Sequence, residues 1–269
     1  MSYVHIRQCH SFAQAVASVG GKMPAELSDI LAAADVVKEW RPASTTGIAA
    51  QIRSGEFTAA KAATLLEQAH TAPTNDPAEI RLAAEQALIH AFTKALINGG
   101  ADKIIDSVRP AFEAAAAGIS AAAEWITPST DANQVLERGD DAVNAWREMP
   151  KHRQVLDAID QQIIAELVDA ASFNAIPTLP WMGAVGSGVR RALFYVRDET
   201  VDVVAAGRFM AKPTDPNTRG GRWLELVTNT EIRLNNLTTA RTLAAHHTAE
   251  IDDRDAMDFA LTHPPLQQI

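Results

Sequence analysis

The sequence predicts an all-α protein, a multi-helix bundle with an alanine-rich helical trunk and a loop-rich, mainly helical C-terminal part. Three observations carry that expectation. Alanine makes up roughly a fifth of the chain while aromatics reach only 6%; alanine favours helices that approach closely and bury little area each. Apolar residues recur at intervals of three and four through most of the chain, the spacing of one buried helix face. Glycine pairs, prolines and capping signatures punctuate those stripes.

The elements follow in order. Val4, Phe12, Val16 and Val19 lie among small and polar residues before Gly20-Gly21, which suits a short amphipathic helix stopped by glycine. Pro24-Ala25-Glu26 opens a second helix, with Leu27, Ile30, Leu31, Ala34, Val37 and Trp40 as its stripe and Arg41-Pro42 as its end. Short helices over 48–52 and 58–72 follow, and Thr71 to Asn75 reads as a turn between packed helices.

The trunk runs from Asn75 to Phe173. Asp76, Pro77 and Glu79 form an N-terminal capping signature, and Ile80, Ala84, Leu88, Phe92 and Ala95 lead to a stop at Gly99-Gly100. The next stripe includes Ile104, Val108, Phe112, Ile119 and Ile126, with Pro110 expected to kink or restart it. The nearly bulk-free run from Ala114 to Ala123 invites a closely approaching neighbour. Asp131 and Gln134 offer another capping box, and Pro150 another restart. Leu156, Ile159, Ile163, Leu167 and Ala170 then form the most regular stripe, fit for one partner helix in this chain or another.

Beyond Phe173 the texture changes. Pro177, Pro180, Gly183, Gly186 and Gly188 predict a loop or hinge. Residues 189–210 fit either helix or a hairpin, and helix is the expectation. Pro213 to Gly221 reads as a loop, Trp223 to Ala249 as one or two helices, and Asp252 to Asp255 as the cap of a last short helix before an extended tail. The 269 residues allow one or two domains. The expected division sets an N-terminal helical bundle over 1–174 against a C-terminal region over 175–269, with one continuous domain as the alternative.

Composition limits the function classes. A net charge of −9 and a pI near 5.4 argue against an extensive nucleic-acid surface, leaving only a local basic spot at Arg190-Arg191. The single cysteine, Cys9, excludes an intramolecular disulfide. No run approaches the roughly 18 apolar residues of a membrane span, and Met1 to Arg7 lacks a signal-peptide pattern. The expected location is cytoplasmic or virion-associated.

Few residues point to chemistry. His246, His247 and Glu250 share neighbouring faces of a helix and are candidate metal ligands, though a catalytic zinc needs a third protein ligand; surface histidines near a helix C-terminus are the simpler reading. Cys9 with His5 and His10 has the spacing of part of a thiol or metal site, beside the plainer reading of a core cysteine. Gly183 to Gly188 has the wrong order for a phosphate loop and lacks its lysine. Acidic residues such as Asp157 and Asp160 are expected on the solvated side of the stripe helix. Ser-His-Asp order, H-E-x-x-H, Walker and nucleophile-elbow patterns are absent.

Trp181-Met182-Gly183 and Tyr195 to Glu199 resemble the W-x-G turn and Y-x-x-x-[DE] tail of the small helical-hairpin substrates of actinobacterial type VII secretion. The resemblance covers under a tenth of the chain. In that family the turn joins two long helices and the tail lies well beyond the second, whereas here the two motifs are about a dozen residues apart in mid-chain. It implies a secreted, host-interacting helical protein.

The leading expectation is a non-enzymatic helical assembly or interaction protein without a cofactor. Self-association or a protein partner would use Leu156, Ile159, Ile163, Leu167 and Trp181. The abundance of Ala, and of Arg over Lys by more than two to one, fits a high-GC genome and makes a phage virion or head-assembly component the most concrete version. The alternatives are a metal-dependent enzyme centred on His246, His247 and Glu250, and the secreted protein that the resemblance implies.

Overall fold

The computed structural model describes residues 5–40, 58, 61–64, 77–170, 183–198, 200–211 and 219–247. The fold is all-α. Its helices are α1 (Ile6–Ser18), α2 (Ala25–Glu39), α3 (Pro77–Ala95), α4 (Ala101–Ala123), α5 (Ala132–Glu137), α6 (Asp140–Ala158), α7 (Ala165–Ala170), α8 (Gly183–Ala192), α9 (Val203–Ala211) and α10 (Gly221–Asn229). A further helix, α11, covers 237–247. π-type turns at Leu96–Gly100 and Ile159–Ile164 join α3 to α4 and α6 to α7. Among the described residues the extended backbone pairs at one place, an antiparallel bridge between Val196 and Ile232. Residues 61–64, inside the helix expected over 58–72, are helical. The helix expected at 48–52, the 71–75 turn, Asp76, the 213–218 part of the loop expected after Pro213, and the tail lie outside the described residues.

Contacts divide the chain into two compact units, Met1–Ser107 with Asp169–Ser172, and Val108–Val168 with Phe173–Ile269. This division falls inside α4, while the expected boundary at 174/175 lies outside the described residues.

In the first unit α2 packs against α3, and α1 against both. Cys9, Phe12 and Val16 bury one face of α1 against a core that includes Leu27, Val37, Leu88 and Phe92. The Phe12 and Phe92 rings meet edge to face, 6.4 Å between centroids, a favourable quadrupole arrangement. Gly20 stops α1 at φ +79°. The Trp40 carbonyl just after α2 accepts from Arg81 at 2.9 Å. At the end of α3, Gly99 takes φ +98°, a conformation open to glycine at little cost. A Cβ on Gly100 would lie 2.6 Å from the Ala95 carbonyl oxygen. That pair produces the expected break.

The second unit holds the rest. The Asp131 cap forms as expected: its carboxylate accepts from the amides of Asn133 and Gln134, and Gln134 Oε1 in turn accepts from the Asp131 amide. Gly139, at φ +93°, then starts α6, a break that was not among the expected ones. The restarts expected at Pro110 and Pro150 do not occur, because both lie inside continuous helices. Their rings are on exposed faces while Val108, Phe112 and Met149 are buried, so water can satisfy the carbonyl each one leaves unpaired.

The described residues of 189–210, all but Glu199, form the end of α8, a turn and α9, without a hairpin. The segment from Gly183 to Gly188 is also helical rather than a hinge, being the first part of α8. Its glycine has a packing role: a Cβ on Gly188 would lie 2.2 Å from the Gly207 carbonyl oxygen, and one on Gly207 would strike Val189. The two helices cross where neither has a side chain. At Gly118 the missing side chain makes room for the His152 ring, whose atoms lie where a Cβ would sit.

Candidate functional site

The second unit is organised around a buried charge. In the π-type turn the Ala165 amide bonds back to the Asp160 carbonyl, five residues earlier. The wider turn brings Asp160 onto the buried side with Ile159, Ile163 and Ile164. Asp160 is therefore 0% exposed, which corrects its assignment to a solvated face.

Donors converge on its carboxylate. Arg222 Nη2 lies 2.7 Å from Oδ2, Arg191 Nη1 3.2 Å from Oδ2, and the Tyr195 hydroxyl donates to Oδ1 at 2.9 Å. Asp157, one turn earlier, joins the network. Its Oδ1 accepts from Trp223 Nε1 at 2.8 Å and lies 3.5 Å from Arg222, while Oδ2 pairs with Arg153 at 3.2 Å. Both Arg191 and Arg222 also donate to the Met210 carbonyl in the last turn of α9, where the helix dipole favours cations.

Each donor is positioned by local structure. Asn235 donates to the carbonyls of Leu193 and Val196, and its amide bonds to Phe194 O. Arg233 N bonds to Tyr195 O, and Arg109 holds the Leu234 carbonyl at 3.1 Å. This strap fixes the turn that carries Tyr195. The Tyr195 ring stacks on Phe112 at 5.6 Å, and Trp223 meets both rings edge-on. Arg222 and Trp223 enter from the first turn of α10.

Burial pushes the Asp160 carboxyl above the usual range, opposed by Arg222, Arg191 and the Tyr195 hydroxyl. Burial, reinforced by the carboxylate beside it, raises the Tyr195 phenol well above its ordinary value. Tyr195 is a neutral donor. Every partner of Asp160 donates, which is what a carboxylate requires. The arrangement joins α6, α8, α9 and α10.

Beside this network an open groove of about 660 Å³ is lined by Arg153, Gln154, Asp157, Gln161, Gln162 and Arg219 among others. Arg219 lies 4.5 Å over the Trp146 ring and donates to its carbonyl at 2.9 Å.

The residues singled out from sequence fall elsewhere. Leu156, Ile159, Ile163 and Leu167 are each 0% exposed, so the regular stripe packs in the interior of this chain. A docking face must be open, and this one is covered. Trp181 and Glu250 lie outside the described residues. His246 is exposed and His247 buried on α11, so the neighbouring rings are in different surroundings. Among the described residues no group of three or more His, Cys, Asp or Glu is arranged to hold a metal. Cys9 is fully buried, and burial pushes its thiol up to about 12; His10 lies 3.5 Å from Asp35. Tyr195, part of the secretion-like tail pattern, is buried on Asp160.

The network had one trace in the sequence. Leu156, Asp160 and Ile164 are spaced by fours, which sets the acid in line with apolar neighbours. The π-type turn itself has no short signature. Among the described residues no helix is long and apolar enough to cross a membrane. Compared with known protein families, with curated proteins and with solved structures, the chain matches none.

Proposed function

We propose that the protein is a non-enzymatic helical assembly or interaction protein that works by binding protein, either a partner or further copies of itself. One observation supports this reading best. The richest cluster of titratable groups, Asp160 with Tyr195, Arg191 and Arg222, is spent on joining helices, as in a scaffold whose rigidity matters more than its reactivity. The buried Cys9 thiol fits the same reading, since a nucleophilic cysteine needs an accessible thiolate.

The most concrete version is a phage virion or head-assembly component, made in the cytoplasm, as the alanine- and arginine-biased composition suggests. The test is association: light scattering across a wide concentration range, with affinity capture by tagged protein from its native host. Discrete oligomers, or a stoichiometric partner lost on a surface substitution, support the reading. A strict monomer without a partner overturns it.

A further inference from the structure

We infer that the groove along α6 docks an acidic, extended segment of a partner protein. This rests on the interaction reading above and supplies the chemistry of the partner.

The first argument is charge. The groove is lined by the guanidiniums of Arg153 and Arg219 against the one carboxylate of Asp157, while Arg191 and Arg222 lie behind it, paired with the buried Asp160. The chain as a whole carries −9. A local reversal of sign on an acidic protein steers anionic groups to that face and orients them there.

The second is the donor set. Asp157 is engaged by Trp223, Arg222 and Arg153. Arg219 is different: its contacts are the ring and carbonyl of Trp146, and among the described residues it has no carboxylate partner. Stacking fixes its plane and leaves N–H groups for a bidentate bond to an incoming carboxylate. Gln154, Gln161 and Gln162 are exposed along the groove, and carboxamides both donate and accept, as a peptide backbone demands.

The third is shape. The lining runs from Pro150 to Gln162, about 18 Å at the ordinary helical rise, which is the reach of roughly five extended residues. A small molecule is held by a pocket that encloses most of its surface. Among the described residues this groove is partly open and suits a strand-like segment.

Fluorescence anisotropy with a labelled hexaglutamate peptide tests the assignment, beside its hexaglutamine counterpart and citrate as a competitor. Expected are binding of the glutamate peptide alone, weakening with salt, and a loss of at least about tenfold in Arg219→Ala. Gln161→Glu, an exposed change that adds a negative charge to the groove, should weaken binding too. Arg147→Ala, exposed on α6 but outside the lining, should not. Circular dichroism verifies that each variant is folded.

Absence of binding at low salt, or equal binding by the Arg219 and Arg147 variants, overturns the inference. So does displacement by citrate as effective as by unlabelled peptide, which would make the groove a small-anion site. Peptide binding at Arg219 in a protein that neither self-associates nor takes a partner would sink the interaction reading and leave the groove. Association without peptide binding would do the reverse.

Discussion

Truncating Asp160 should be the most damaging single change in the second unit. In Asp160→Ala the guanidiniums of Arg191 and Arg222 stay packed, with side-chain exposures of 20% and 4%, but lose the carboxylate that neutralises them. Among the described residues only Asp157, 3.5 Å from Arg222, still opposes that charge directly. Breaking a buried ion pair by removing one partner costs about 3–5 kcal/mol. The orphaned Tyr195 hydroxyl adds to the loss and water entering the gap reduces it, so about 4 kcal/mol is expected. Against a typical total of roughly 5–15 kcal/mol, that is a large share. Urea titration followed by near-ultraviolet circular dichroism, which reports the packed Trp223 and Tyr195, measures it. A cycle with Arg222→Met should give a coupling of about 2 kcal/mol, because removing both partners no longer strands a charge. A loss below about 1 kcal/mol, additive with Arg222→Met, would refute the idea that this network joins the helices.

Further outcomes follow from the same geometry. Tyr195→Phe, which keeps the stacked ring and removes only the bond to Asp160, should cost about 1.5–3 kcal/mol in the same titration. Gly188→Ala sets a methyl against the Gly207 carbonyl and should cost more than about 2 kcal/mol by forcing α8 and α9 apart; a neutral result would contradict the crossing. Gly99→Ala meets nothing within 4 Å but keeps a positive φ, so thermal melting should report about 1 kcal/mol. Gly100→Ala, which clashes with backbone, should report more. The Cys9 thiol is raised in the folded protein, so its contribution is complete below about pH 9 and lost as pH rises towards 12. At pH 8 its reaction with a disulfide reagent should be far slower in the native than in the denatured protein, and equal rates would show the site to be open.

Local signals carried most of the fold. Gly99-Gly100, Asp131 with Gln134, and the stripe from Leu156 to Leu167 act over a turn or two, so spacing alone revealed them. Pro110 and Pro150 misled because a helix tolerates an interior proline when the ring faces water and the opposite face is well packed. Gly188 misled for a related reason, since a glycine kept for close helix approach is indistinguishable in sequence from one kept for a hinge. The Asp160 network was the least legible. Its members stand at 157, 160, 191, 195 and 222, and only the π-type turn and the Asn235 strap bring them together. Nothing at Asp160 alone says that two arginines await it.

As proposed above, this helical protein acts by binding protein. Light scattering coupled to size-exclusion chromatography, run from micromolar to near-millimolar protein and repeated with the captured partner, tests it most directly. Species heavier than the 28.9 kDa chain, either self-assembled or with a stoichiometric partner, are the expected result. A single 28.9 kDa species at every concentration, with nothing captured from the native host, would contradict it.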